Sequence, residues 1–167
     1  MLVETGKGGL SIIRELKLIV SIGISLAAGV IGSIFTSPAI PGWYATLQKP
    51  FFTPPSWVFG PAWTTLYILM GIALFLVWNK GFQNREVKLA MGVFGVQLVL
   101  NSLWSLLFFG MQNPFYALIE IIILWFAILA TIIVFYGIDR RASLLLVPYI
   151  LWVTFASLLN YYVWILN

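Results

Sequence analysis

Five stretches of about 20 or more mostly apolar residues, each with almost no charge, dominate this sequence: about Leu16–Thr36, Ser56–Trp78, Lys88–Met111, Pro114–Ile138 and Ala142–Leu166. That length is what a helix needs to cross the hydrocarbon core of a bilayer. In lipid, every backbone N–H and C=O must be satisfied internally, and these stretches lack the alternation of barrel strands. The expected fold is therefore all-α, an integral membrane bundle of five transmembrane helices. Composition agrees: 62% of residues are hydrophobic and 8% charged, against about 25% charged in average globular chains. A soluble enzyme, a nucleic-acid binder and a disordered chain are all excluded on that ground.

The separators are equally legible. Ser37–Pro55 holds five of the eight prolines. Asn79–Val87 carries Lys80, Gly81, Asn84, Arg85 and Glu86. Gln112–Asn113 precedes Pro114, and proline suits the first turn of a helix. Asp139–Arg141 parts the last two spans. We read residues 1–15 as a short, partly amphipathic tail and residues 16–167 as one membrane domain. The apolar stretch after the tail is too long for a cleaved signal peptide, and no A-x-A-like site ends it.

Lys and Arg divide unequally between the two faces. Lys7, Arg14, Lys17, Lys80, Arg85, Lys88, Arg140 and Arg141 fall on the side of the N-terminus, and only Lys49 falls on the other. In a prokaryotic plasma membrane, the expected location, the positive-inside rule then puts the N-terminus in the cytoplasm, with the basic side facing anionic headgroups.

The chemistry available is restricted. With no Cys and no His, disulfides, thiolate nucleophiles, imidazole acid–base catalysis and His- or Cys-ligated metals are excluded. No metal site is expected. Glu120 is the single acid within a span, so there is no carboxylate pair, and no Gly-rich phosphate motif occurs. Polar and aromatic side chains nevertheless recur on helix faces. In the third span Gln97, Asn101, Trp104 and Phe108 share one face. In the fifth Trp152, Ala156, Leu159 and Asn160 do. Phe59, Trp63, Tyr67 and Met70 share a face in the second, and Tyr116, Glu120 and Ile123 in the fourth.

Polar groups facing lipid are costly, so Gln97, Asn101, Glu120 and Asn160 should point into the bundle. Interhelical hydrogen-bond glue explains each singly; a shared cavity explains them jointly. At about 1.5 Å per residue, Trp63, Trp104, Glu120 and Asn160 lie roughly 9–10 Å below the outer face, Ala156 roughly 15 Å, and Trp152 and Gln97 roughly 20 Å. Together they trace a mostly apolar cleft with a few polar groups, the usual composition of a small-molecule site.

The long first connection, about 20 residues rich in proline and aromatics, is the expected cover. Within it Gly42–Lys49 has the makings of a short helix stopped by Pro50. An interfacial aromatic belt is the plainer reading of Trp43, Tyr44, Phe51, Phe52 and Trp57; a structured lid better accounts for so many rigid, bulky residues. In the first span Ser21, Ser25, Gly29 and Ser33 recur every fourth residue, with Ala28 and Gly32 alongside, and are read as a close-packing stripe.

The run from Trp43 to Trp63, WYATLQKPFFTPPSWVFGPAW, resembles the translocator protein family, also called the tryptophan-rich sensory protein, TspO/MBR or peripheral-type benzodiazepine receptor family. The similarity continues through Gln97–Phe109 and Pro148–Trp164. It implies a five-helix bundle, often a homodimer, with a ligand cavity closed by the first loop. It also implies a receptor or carrier for porphyrins (haem and protoporphyrin) and related hydrophobic drugs, as ligands rather than obligatory cofactors.

Carried over by motif, the ligand-binding residues would be Tyr44, Pro54, Trp63, Gln97, Asn101, Trp104, Tyr116, Trp152, Ala156 and Leu159. Porphyrin propionates would lie near Lys49, and haem would be held by its ring and edge, since no His or Cys can ligate iron. Some bacterial members degrade protoporphyrin in light, with tryptophans matching Trp63 and Trp152, which makes these two the candidate catalytic residues of an alternative, enzymatic reading. A structural or assembly role is the third. Family members commonly have Trp where this chain has Phe52. The segment Leu159–Asn167 lacks the basic end of the sterol-recognition pattern.

Overall fold

The computed structural model describes the backbone of residues 5–167 and the side chains of residues 11–167. Residues 1–4 of the expected tail lie outside the described residues. From Thr5 onward the chain is already helical, so the first helix, α1 (Thr5–Ala39), begins inside the stretch read as a tail. Then follow α2 (Trp43–Thr46), a 3-10 turn (Ser56–Val58), α3 (Phe59–Trp78), α4 (Arg85–Ser105), a π-helical turn (Leu106–Gly110), α5 (Pro114–Ile138), α6 (Arg140–Leu145) and α7 (Val147–Leu166). Among the described residues, five helical segments are long and apolar enough to cross a membrane: Ser11–Ala39, Ser56–Trp78, Arg85–Gly110, Pro114–Ile138 and Arg140–Leu166.

Local chemistry sets the boundaries. The Asn113 side chain accepts a hydrogen bond from Tyr116 N at 3.1 Å, and Pro114 occupies the first turn of α5; this satisfies an orphan donor where the proline has none to lose. Asp139 does the same for α6, accepting from Arg141 N at 2.9 Å. Pro148 has no N–H to continue the preceding ladder, and the fifth apolar run is broken at Leu146 into α6 and α7. The third run also changes pitch. Met111 N bonds to Leu106 O, a five-residue step at 2.7 Å, and such π turns turn up often at functional sites.

Packing places the helices in the order α3, α1, α4, α5, α7 around the bundle. The α1–α3 contact is close because of glycine. A Cβ on Gly71 would strike the Ile22 backbone, and one on Gly29 would strike the Tyr67 ring. Ser21 and Ser25 are buried in this interface, as the packing stripe requires. In the inner half the core is apolar: Met70, Leu74 and Val77 of α3, Leu124 and Ile128 of α5, and Phe94 stacked on Phe135 at 5.8 Å. Trp125 donates to Thr154 at 2.8 Å, tying α5 to α7.

The basic connections come together on one face, where Lys80 pairs with Asp139 at 3.0 Å. Burial by itself would push the Asp139 carboxyl up. Hydrogen bonds from the side chains of Lys80 and Arg141 and from the Arg141 N–H, with the Lys80 charge, outweigh it and hold the group down at about 2. Lys17 lies over the Trp78 ring and Lys88 over Phe82, the arrangement expected of cations at a membrane interface.

Candidate functional site: a Trp-lined cavity under the first loop

A cavity of about 520 Å³ occupies the outer half of the bundle, within the usual range of small-molecule sites. Four helices and the first loop build it. From α3 come Phe59, Trp63 and Tyr67; from α4 and its π turn come Asn101, Trp104 and Phe108; from α7 come Trp152, Ala156, Leu159 and Asn160; and Tyr44 of α2 closes it from above. The fourth wall belongs to α1. Gly29, Gly32 and Ser33 line it, so the outer half of the small-residue stripe serves the cavity rather than packing alone. On this side Val30, Ser33 and Ser37 of α1, Trp57 of the 3-10 turn, and Gly60 and Thr64 at the start of α3 are both cavity-lining and exposed; the cavity therefore opens sideways between α1 and α3.

The aromatic lining is ordered by ring contacts. Trp63 stacks on Tyr67 at 5.7 Å and meets Trp152 edge-on at 6.5 Å. Trp104 stacks on Phe108 at 5.0 Å. Polar groups fix the walls. Tyr67 Oη donates to Asn101 Oδ1, and Asn101 Nδ2 donates to Tyr149 Oη at 3.0 Å. Trp104 Nε1 donates to Asn160 Oδ1 at 3.0 Å, and Asn160 Nδ2 donates to the Pro114 carbonyl at 2.7 Å. The two asparagines are thus both interhelical glue and cavity wall. Among the described residues the buried Trp152 indole N–H has no partner.

The loop is held down from two sides. Trp43 packs edge-on against Phe108 at 5.5 Å and Tyr44 against Phe109 at 5.7 Å. Opposite, Phe52 packs against Tyr162 at 5.4 Å, and the Asn167 amide accepts from Gln48 N and donates to Gln48 O, each at 3.0 Å. This is why α2 stops at Thr46 rather than reaching Lys49: Leu47 is extended, and the Gln48 main chain is bonded to Asn167 instead of to a helical turn. Lys49 lies 4.8 Å over the Tyr44 ring, and its ammonium donates to the Leu47 carbonyl. Burial pushes the Tyr44 hydroxyl up, so it stays a neutral donor at the cavity roof.

Of the residues expected at the site, Tyr44, Trp63, Asn101, Trp104, Trp152, Ala156 and Leu159 line the cavity. Three do not. Pro54 is half-buried in the loop but lies away from the cavity. Gln97 is 1% exposed and sits on the correct face of α4, one turn below Asn101 and beneath the cavity floor. Tyr116 is 53% exposed, because α5 stands behind α4 and α7. The inward arc of α5 is centred on Ala117, Ile121, Leu124 and Ile128; Tyr116 and Ile123 lie on its flanks, and of the expected fourth-span face Glu120 alone is buried.

A sequence model of the TspO/MBR family matches residues 21–165. The chain is 52% identical to the tryptophan-rich protein TspO of Archaeoglobus fulgidus over 91% of this chain and 97% of that one. It is 46% identical to the tryptophan-rich protein TspO of Chlorobaculum tepidum, over 91% and 96%. To the human translocator protein it is 39% identical, over 86% and 88%.

Proposed function

Since this chain belongs to the TspO/MBR family, as a multi-pass integral membrane protein, we propose that it is a membrane receptor or carrier for porphyrin-type tetrapyrroles, haem and protoporphyrin among them. The observation that carries this reading is the size and lining of the cavity: about 520 Å³, with the indole side chains of Trp63, Trp104 and Trp152 in its walls. A planar aromatic macrocycle gains about 0.5–1.5 kcal/mol from each such ring contact beyond area burial. The ligand is cargo or signal; no obligatory cofactor is part of the proposal. The opening between α1 and α3 suits a ligand that partitions into the bilayer. The same proposal places the N-terminus in the cytoplasm of a prokaryotic cell, by the eight-to-one division of basic residues, and takes the working unit as a homodimer.

A second reading has a specific observation in its favour. Trp63 and Trp152 meet at 6.5 Å within the cavity wall, which would put two oxidisable indoles against one bound porphyrin and suits light-dependent oxidation of the ligand. Titration of the purified protein with protoporphyrin, followed by tryptophan fluorescence in the dark, tests the first reading. Saturable quenching is expected, with affinity falling roughly three- to tenfold in Trp63→Phe. Loss of the porphyrin absorption spectrum under illumination, abolished in Trp63→Phe and Trp152→Phe, would establish the enzyme. Absence of quenching by any tetrapyrrole would overturn both and leave the structural role.

A further inference from the structure

Among the described residues, three buried side chains outside the cavity have no hydrogen-bond partner: those of Ser21, Gln97 and Glu120. Neither oxygen of the Glu120 carboxyl is hydrogen-bonded, nor is the oxygen or the nitrogen of the Gln97 carboxamide. They are 4% and 1% exposed. Leaving such groups unpaired in an apolar interior is costly, and for a charge it is more costly still. Pairing with a base is not the answer, since among the described side chains no Lys or Arg is buried.

The hydrogen bonds at the cavity wall set the register. Trp104, Pro114 and Asn160 are joined and so lie at one level. From there Gln97 is seven residues down α4 and Glu120 six residues down α5, roughly 9–11 Å in both cases, so Glu120 is level with Gln97 and not, as its count along the fourth span suggests, with Trp104 and Asn160. The two helices pack directly on each other. Tyr149, at the start of α7, is fully buried, and α5 and α7 pack on each other.

The hydrogen bonds that run inward from the cavity also have a direction. Tyr67, in the cavity wall, donates to Asn101, and Asn101 donates to Tyr149. The Tyr149 oxygen is thereby used as an acceptor and its own O–H remains free to donate, with Glu120 the buried acid of the neighbouring α5. Trp63, on which a ligand ring would stack, touches both tyrosines, at 5.7 Å and 6.3 Å.

We propose that Glu120 and Gln97 form a proton-binding site beneath the ligand cavity, coupled to it through the chain Tyr67–Asn101–Tyr149. The site takes a proton from bulk water onto a Glu120 oxygen. The neutral carboxyl then carries no buried charge and has an O–H to donate, and the unpartnered Gln97 carboxamide is the polar group that α4 holds at the same level. A ligand in the cavity removes solvent from Tyr67 and Asn101, which favours the uncharged acid, so binding at a pH where the ligand-free acid is ionised takes up a proton. The groups facing Glu120 are few. Tyr149 comes from α7 and the neutral Gln97 from α4, the π turn has no titratable side chain, and Asp139 with Lys80 and Arg141 stands at the far inner end of α5, roughly 28 Å along the helix.

The coupling rests on the ligand reading above; the site itself does not. Infrared spectra of the ligand-free protein in a bilayer should show, at neutral pH, a carboxylic-acid C=O band that shifts in D₂O and is missing in Glu120→Gln. A spectrum without that band, or with a band that survives the substitution, would overturn the site. Protoporphyrin dimethyl ester, which has no titratable carboxyl of its own, tests the coupling. Its affinity should fall by up to tenfold per pH unit across the range where the band disappears. In weakly buffered solution, at a pH within that range, its binding should withdraw a proton. Glu120→Gln should bind the ester with no pH dependence. Binding that is equally pH-independent in the unsubstituted protein would sink the coupling alone. If the ester does not bind at any pH, the ligand reading fails and takes the coupling with it, while the infrared band still decides the site. Should Glu120→Gln not fold, proton uptake by the unsubstituted protein on binding the ester decides the coupling: uptake supports it, and no uptake overturns it.

Discussion

Gln97 and Asn101 sit one turn apart on the same face of α4, both buried, and only Asn101 reaches the cavity. Helical periodicity reads the face and not the depth at which a cavity ends. Asn101 lies at the floor because Tyr67 and Tyr149 converge on it from α3 and α7; no spacing within α4 could say so. Ala156 shows the opposite case, where a single residue type carries the information. A small side chain one turn from Trp152 leaves room on the cavity face of α7, and Ala156 does line the cavity. Ala156→Phe should therefore fill it, lowering porphyrin affinity tenfold or more, about 1.4 kcal/mol, with little change in melting temperature. Were Ala156 a helix-packing contact instead, the same change would overpack the interface and cost about 1–3 kcal/mol of stability with binding intact. Affinity and thermal unfolding measured on one purified variant separate the two.

Among the elements, the first loop and the π turn work as a pair. The loop brings Trp43 and Tyr44; the π turn brings Phe108 and Phe109 out to meet them. The aromatic content of the loop is legible in the sequence, and so is its role as a cover, but the extra residue in the last turn of α4 leaves no periodic signal in an unbroken apolar run. The Asn167 side chain fastens the other edge through its two bonds to the Gln48 main chain. Each such bond contributes about 0.5–1.5 kcal/mol, so Asn167→Ala should let the loop open more often and speed porphyrin dissociation several-fold. Helix content by circular dichroism should not change. Dissociation at the original rate would mean that the ring contacts of Phe52 and Trp43 hold the loop without it.

At the scale of the whole molecule, the pairing of Lys80 with Asp139 joins two connections on the basic face, and the Gln48–Asn167 contact joins the first loop to the far end of α7 on the opposite face. Single cysteines introduced at two exposed positions, Gln83→Cys and Thr46→Cys, test the orientation cleanly because the chain has no native cysteine. A membrane-impermeant reagent applied outside should label position 46 and not position 83; labelling of both from one side would overturn the topology. Five spans, their order, the basic face and the aromatic lid are all readable along the chain, because membrane insertion depends on summed hydrophobicity over about 20 residues and on where charges fall between such segments. Those are local, additive quantities. Which helix surrounds the cavity and which stands behind it is neither local nor additive. Periodicity misplaces Tyr116 and reads the α1 wall of Gly29, Gly32 and Ser33 as packing alone, because a helix face is interior or exterior only relative to its neighbours. Close approach at Gly71 and Gly29 lets α1 and α3 converge, and the packing of α5 behind α4 and α7 leaves Glu120 buried but outside the cavity.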